Sequence, residues 1–149
     1  MLLLLVFLLL KSVGGTILGL VTSESVIVAA TSVLAGANLK LKSNHDGITV
    51  LGVTSSSIDA DIEGEHVLVA LCGDHSDCAS TLAELEFVCN QHIKSYNFVL
   101  SCESIAQFYR KIVTDSLNRS HQLKVDALIG GLVLPSSDKH KFLYSRSIF

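Results

Sequence analysis

The stretch HVLVALCGDHSDC, running from His66 to Cys78, decides how this chain is read. Its opening, His66 to Cys72, is an almost unbroken apolar run, the composition expected of a strand covered on both faces. Gly73 ends the run, and Asp74 or Ser76 stands where a side-chain oxygen caps the orphan N–H groups of a starting helix. Beyond that point the apolar residues Cys78, Leu82, Leu85, Cys89, Ile93 and Tyr96 recur at steps of four and three, one stripe along a long helix. A central strand feeding a helix is thus the anchor for the rest.

Working outward toward the C-terminus, the same device returns. Ile105, Phe108, Ile112 and Leu117 predict a second helix over about Ser104 to Asn118. VDALIGGLV, Val125 to Val133, predicts another strand, and Lys141 to Tyr144 begins one more. Toward the N-terminus, TILGLV (Thr16 to Val21) and VIVAAT (Val26 to Thr31) are β-rich runs around the polar Thr22 to Ser25, a hairpin. Leu39, Leu41 and the run Ile48 to Leu51 are expected to form a second pair about the turn Asn44 to Gly47. Thr54 to Glu65, rich in Ser and Asp, is expected as an exposed loop. Strands, then two helices, then strands is an α+β order, which predicts antiparallel sheets with two helices on one face.

Bulk properties bound the function. The 149 residues suit one domain, and Lys plus Arg 11 against Asp plus Glu 14 gives a net charge of -3, with no basic face for nucleic acid. Hydrophobic residues make up 49% of the chain. Much of that excess lies in MLLLLVFLLL, Met1 to Leu10, about half the roughly 20 residues needed to cross a bilayer. No membrane span is expected. Residues 1–15 are read as a hydrophobic leader or propeptide; as a secretory signal they lack the usual positively charged start.

The reactive residues have ordinary readings beside the chemical ones. Cys72, Cys78, Cys89 and Cys102 are expected as buried thiols, or as two disulfides in a secreted chain. Cys72, His75 and Cys78 invite a metal reading, with Cys89 and His92 further along. Cys78 and Cys89, however, lie about 16 Å apart along one helix, too far to share an ion. Asp74, His75 and Ser76 form a Ser/His/Asp trio on paper, at a spacing that suits helix capping. His66, His121 and His140 sit beside polar residues and read as solvated. Arg110, Lys111 and Arg119 give the second helix a modest cationic face, and Asn118 to Ser120 matches a glycosylation acceptor pattern that matters only in a secreted chain. No metal and no cofactor is expected.

Five segments together resemble proteasome beta subunits, most of all the non-catalytic type-4 members: GTILG (Gly15 to Gly19), VIVAA (Val26 to Ala30), KLKSNHD (Lys40 to Asp46), LVALCG (Leu68 to Gly73) and VDALIGG (Val125 to Gly131). The likeness runs from about Thr16 to Tyr144, with the two helices in the family's order. It implies the N-terminal-nucleophile hydrolase fold, a four-layered sandwich of helices around two sheets. The chain stops at Phe149, before the remaining elements, so the implied domain, 16–149, is an incomplete version of that sandwich.

Active members of that family attack with an N-terminal threonine hydroxyl, activated by a nearby lysine and an acidic residue. Gly15 and Thr16 resemble the junction at which active precursors are cut. The acidic position, just after the second strand, is here Thr31, and the lysine position, sixteen residues on, is Gly47. Counting back from Thr31 puts Gly15 in register with the nucleophile. Lys40 and Lys42 would have to slip by several residues to substitute. The resemblance therefore implies a degenerate site at Gly15, Thr16, Thr31 and Gly47. The implied role is that of a structural subunit touching other beta subunits and the alpha ring, in cytoplasm and nucleus, within ubiquitin-dependent degradation. The rival readings are an active threonine protease using Thr16, and a small secreted, disulfide-bearing binding module.

Overall fold

A computed structural model describes residues 6–12, 15–22, 25–36, 39–43, 47–52, 66–119, 122–133 and 140–146. The expected loop at 54–65 and the turn at 44–46 lie outside these residues, as does His121. The elements in chain order are β1 (Val6–Ser12), β2 (Gly15–Val21), β3 (Val26–Ala30), β4 (Val33–Gly36), β5 (Leu39–Ser43), β6 (Ile48–Leu51), β7 (Val67–Gly73), α1 (His75–Tyr96), α2 (Cys102–Leu117), β8 (Val125–Val133) and β9 (His140–Arg146). The class is α+β, as the element order predicts. Among the described residues the strands form antiparallel sheets ordered β1-β2-β3, β4-β5 and β6-β7-β8-β9.

Alternation along β7 and β8 fixes the layers. Val67 and Val69 of β7, with Val125, Ala127 and Ile129 of β8, face the helices and close a core with Leu85 and Cys89 of α1 and Ile105, Tyr109 and Val113 of α2. The opposite face carries Ala70, Cys72 and Leu128, which pack on Ile17 of β2 and on half-buried Val28 and Ala30 of β3. Both helices therefore lie on one face of the four-stranded sheet, and the three-stranded sheet lies on the other. Covering both faces explains why β7 reads as a continuous apolar run, and its place between β6 and β8 is interior. Each fully buried Val, Leu or Ile contributes on the order of 2 kcal/mol, so this doubly packed sheet is the main source of stability.

The handover from β7 to α1 is built on backbone contacts. Gly73 has φ +139, and a Cβ there would run into the Lys124 carbonyl oxygen, so a side chain is excluded both by conformation and by space. Asp74 then caps α1, its Oδ1 accepting from the amides of Ser76 at 2.9 Å and Asp77 at 3.4 Å. Asp77 Oδ2 accepts from the Lys124 amide at 3.0 Å, and the Asp74 amide donates to the Lys124 carbonyl at 2.9 Å, which ties the helix start to the entry of β8. At the far end Asn97, at φ 52, closes α1 in the left-handed conformation, donating to the Ile93 carbonyl at 2.7 Å. Ser101 caps α2 by accepting from the Ser104 amide at 3.2 Å.

Three expectations need correction. β5 and β6 do not pair with each other: β5 pairs with β4, while β6 pairs with β7, Ile48 opposite Ala70 and Leu51 opposite Val67. The reason is burial, since Leu51 reaches the helix-side core and Ile48 packs on the opposite face, which a ribbon with lysine-bearing β5 would not provide. The buried stripe of α1 is Asp77, Thr81, Leu85, Cys89 and Ile93; Cys78 and Leu82 are half-buried and Tyr96 is 71% exposed. The Asp77 bond to β8 turns the helix toward its polar side. On α2 the buried face is Cys102, Ile105, Ala106, Tyr109, Val113 and Ser116, with Leu117 exposed and Ile112 half-buried. Tyr109 sets this rotation, its hydroxyl donating to the Val125 carbonyl at 2.9 Å.

Within the stretch read as a leader, residues 6–12 form β1, which pairs with β2 in register from Val6 opposite Val21 to Ser12 opposite Gly15. Leu9 of β1 is exposed.

Candidate functional site

Gly15 and Thr16 open β2, Thr31 follows the last residue of β3, and Gly47 precedes β6. The hairpin register, Ile17 opposite Ala30, sets Thr16 beside Thr31. The Thr16 amide donates to Thr31 Oγ1 at 2.7 Å, and that hydroxyl donates onward to the Thr16 carbonyl at 3.0 Å. The Thr31 amide donates to the same carbonyl at 3.0 Å.

Both glycines abut this knot. Gly15 has φ +155, and a Cβ there would stand 2.6 Å from Thr31 Oγ1. A Cβ at Gly47 would stand 2.9 Å from the Ala30 Cβ and 3.3 Å from the Thr31 carbonyl oxygen. The four positions singled out in the sequence are therefore brought together in space. Their chemistry is two hydroxyls, two glycines and a backbone ladder, with no ionisable side chain among them. The Thr16 nitrogen is a peptide amide that gives its proton to Thr31 Oγ1, so as arranged here it is a donor and not a base. Lys40 and Lys42 lie on β5, in register with Ala35 and Leu34 of β4.

Gly47 also borders a cavity of about 130 Å³ between β6, β7 and the first turns of α1, with Leu71, His75, Cys78 and Leu82 on its walls. Cys78 is its one thiol, and burial first, then the neighbouring Cys72 and Asp74, pushes that thiol up to about 12. A thiol held protonated in this way is a poor nucleophile at neutral pH. Burial likewise pushes Cys72 and Cys89 up to about 11, with Asp126 and Glu86 adding to the respective shifts. None of the four cysteines forms a disulfide.

The other candidates resolve into structural roles. Ser76 Oγ donates to Asp74 Oδ1 at 2.5 Å, and the side-chain and backbone hydrogen bonds from Ser76 and Asp77 hold the Asp74 carboxyl below its ordinary value. That carboxylate is committed to capping α1. Nδ1 of His92 donates to the Phe98 carbonyl at 2.9 Å and braces the turn after α1. Cys72 packs between the sheets while Cys78 lies against the helix-side core, and among the described residues no three His, Cys, Asp or Glu side chains converge as metal ligands. His66 is exposed, and Asn118 ends α2 as its C-cap.

One feature has no counterpart in the sequence reading, a cleft between α1 and α2 with Thr81 at its base. The signal available was the spacing of Asp77 and Thr81, four apart and polar, just off the apolar stripe of α1. Set against known proteins, the chain matches no family model and no curated sequence.

Proposed function

We propose that this chain is a non-catalytic structural beta-type subunit of the proteasome core particle, with an N-terminal-nucleophile sandwich as its fold. The observation that carries the reading is the hydrogen-bonded knot of Thr16 and Thr31, which Gly15 and Gly47 abut, with no lysine and no carboxylate among the four. Those are the positions at which the resemblance would put the nucleophile and its two activators. Glycine and threonine at those positions bring no charge to the Thr16 hydroxyl. Two sheets face to face, with two helices on the outer side of one, support the fold assignment.

In this role the chain works through surface complementarity with neighbouring beta subunits and an alpha ring, in cytoplasm and nucleus, and contributes to assembly without cutting peptides. The test is size-exclusion of a lysate holding the tagged full chain, followed by an N-terminal-threonine-directed epoxyketone on the recovered particle. Elution with a very large assembly and no labelling of this chain is expected. Elution as a lone monomer overturns the subunit assignment, and covalent labelling at Thr16 overturns its inertness.

A further inference from the structure

We propose that β1 is a self-association strand, whose outer edge pairs antiparallel with the same edge of a second copy of this chain, centred on Leu9. β1 is the outer strand of the three-stranded sheet, bonded to β2 on one side, and among the described residues no strand pairs with its other side. Every second residue of a strand so placed turns its N–H and C=O away from the sheet, which offers another strand a ladder to join. The pairing with β2 runs from Val6 opposite Val21 to Ser12 opposite Gly15 without a register shift, so the outer ladder is regular as well. Leu9, at the midpoint of the strand, is 57% exposed.

Sheets that stay single blunt their edges with charge, shortness, bulges or a covering segment. The other described edges of this molecule show such devices. β4 and β5 pair with a register shift between Leu34 and Ala35, and β5 carries Lys40 and Lys42. β6 has four residues, and β9 carries Lys141 and Arg146. β3, on the far side of the same sheet as β1, has five residues and is met at its end by the approach to β6, where a Cβ on Gly47 would stand 2.9 Å from the Ala30 Cβ. β1, VFLLLKS, is longer, has no proline and no bulge, and carries its single charge at Lys11, beside its end.

The strand is complementary to itself in one orientation. Antiparallel pairing about a two-fold axis at Leu9 matches every residue of β1, Val6 with Ser12 and Phe7 with Lys11 of the second copy, and keeps the two Lys11 positions about 14 Å apart along the ladder. Parallel pairing in register would set Lys11 beside Lys11 at about 5 Å, where like charges repel. An edge open on one copy is open on every copy, and a two-fold contact closes on itself, so association ends at a dimer with one continuous sheet in the order β3-β2-β1-β1-β2-β3. One ladder is a small interface, and the dimer is expected to dissociate on dilution.

The purified full chain is sedimented under reducing conditions at concentrations from micromolar to millimolar, and a monomer–dimer equilibrium is expected. Leu9→Lys changes a side chain that is already exposed and sets two charges opposite each other at the two-fold axis, so it is expected to weaken the dimer about tenfold or more while leaving the melting temperature of the dilute chain unchanged. Leu9→Cys under mild oxidation is expected to link two copies through residue 9, because directly opposed Cβ atoms stand about 4.5–5.5 Å apart, whereas Ile27→Cys, exposed on β3, is expected not to link. A chain that stays monomeric throughout the series, growth beyond a dimer, a dimer that Leu9→Lys leaves intact, or equal cross-linking through residues 9 and 27 overturns the assignment. So does pairing of β1 with a different protein while the chain alone remains a monomer. The cross-link places no charge in the strand, so it decides the matter even where Leu9→Lys fails to fold. The isolated chain is measured throughout, and the outcome is therefore separate from whether the chain enters a larger particle.

Discussion

Thr31 holds the start of β2 in place through its hydroxyl. Its Oγ1 accepts from the Thr16 amide at 2.7 Å and donates to the Thr16 carbonyl at 3.0 Å. Thr31→Val keeps the shape and removes both bonds at an exposed position, so a loss of about 1 kcal/mol is expected in thermal or denaturant unfolding. Asp74 supplies a pH-dependent counterpart. Its folded pKa lies below the ordinary value of 3.8, so its contribution is complete above that pH and is lost as the pH falls through the lowered folded value. Melting temperature measured against pH should therefore fall more steeply below about 4 in the native chain than in Asp74→Ala.

Elements explain which parts of the fold were legible. The runs 16–21, 26–31, 66–72 and 125–133 were readable as strands because β-branched residues are bounded by glycine or polar punctuation. α1 was readable because Asp74 provides a cap just before its stripe. Pairing was less legible: β6 is only Ile48–Leu51, and its choice of β7 over β5 depends on two buried faces that no local pattern reveals. Helix rotation was missed for a related reason, since Asp77 and Tyr109 each satisfy a backbone group of β8 or its approach that is distant in sequence. Tyr109→Phe removes the bond to the Val125 carbonyl while leaving the ring packed. A cost of about 1 kcal/mol, seen as a fall of roughly 2–4 °C in melting temperature, is expected. Hairpin register sets Thr16 beside Thr31, whereas Gly15 and Gly47 were singled out only through the family resemblance. The cleft was not legible, because its lining comes from two separate helices that no local pattern brings together.

At the scale of the whole molecule, burial ranks the strands. β7 and β8 are covered by helices on one side and by β2 and β3 on the other, whereas β1 is the outer strand of its sheet. Native-state amide exchange should follow that order: slowest in 67–73 and 125–131, where exchange approaches the rate of global unfolding, and distinctly faster in 6–12. Equal protection of β1 and β7 would contradict this packing.

The pairing of β7 with β8, from Val67 opposite Gly131 to Gly73 opposite Val125, spans both helices in the chain. A nascent polypeptide emerging from the ribosome can coil α1 and α2 early, but it cannot complete its innermost ladder until Gly131 has emerged. Synthesis thus leaves β7, the greasiest strand of the sheet, waiting for its mate through the making of two helices, and folding speed is set by that long-range closure and not by local coiling.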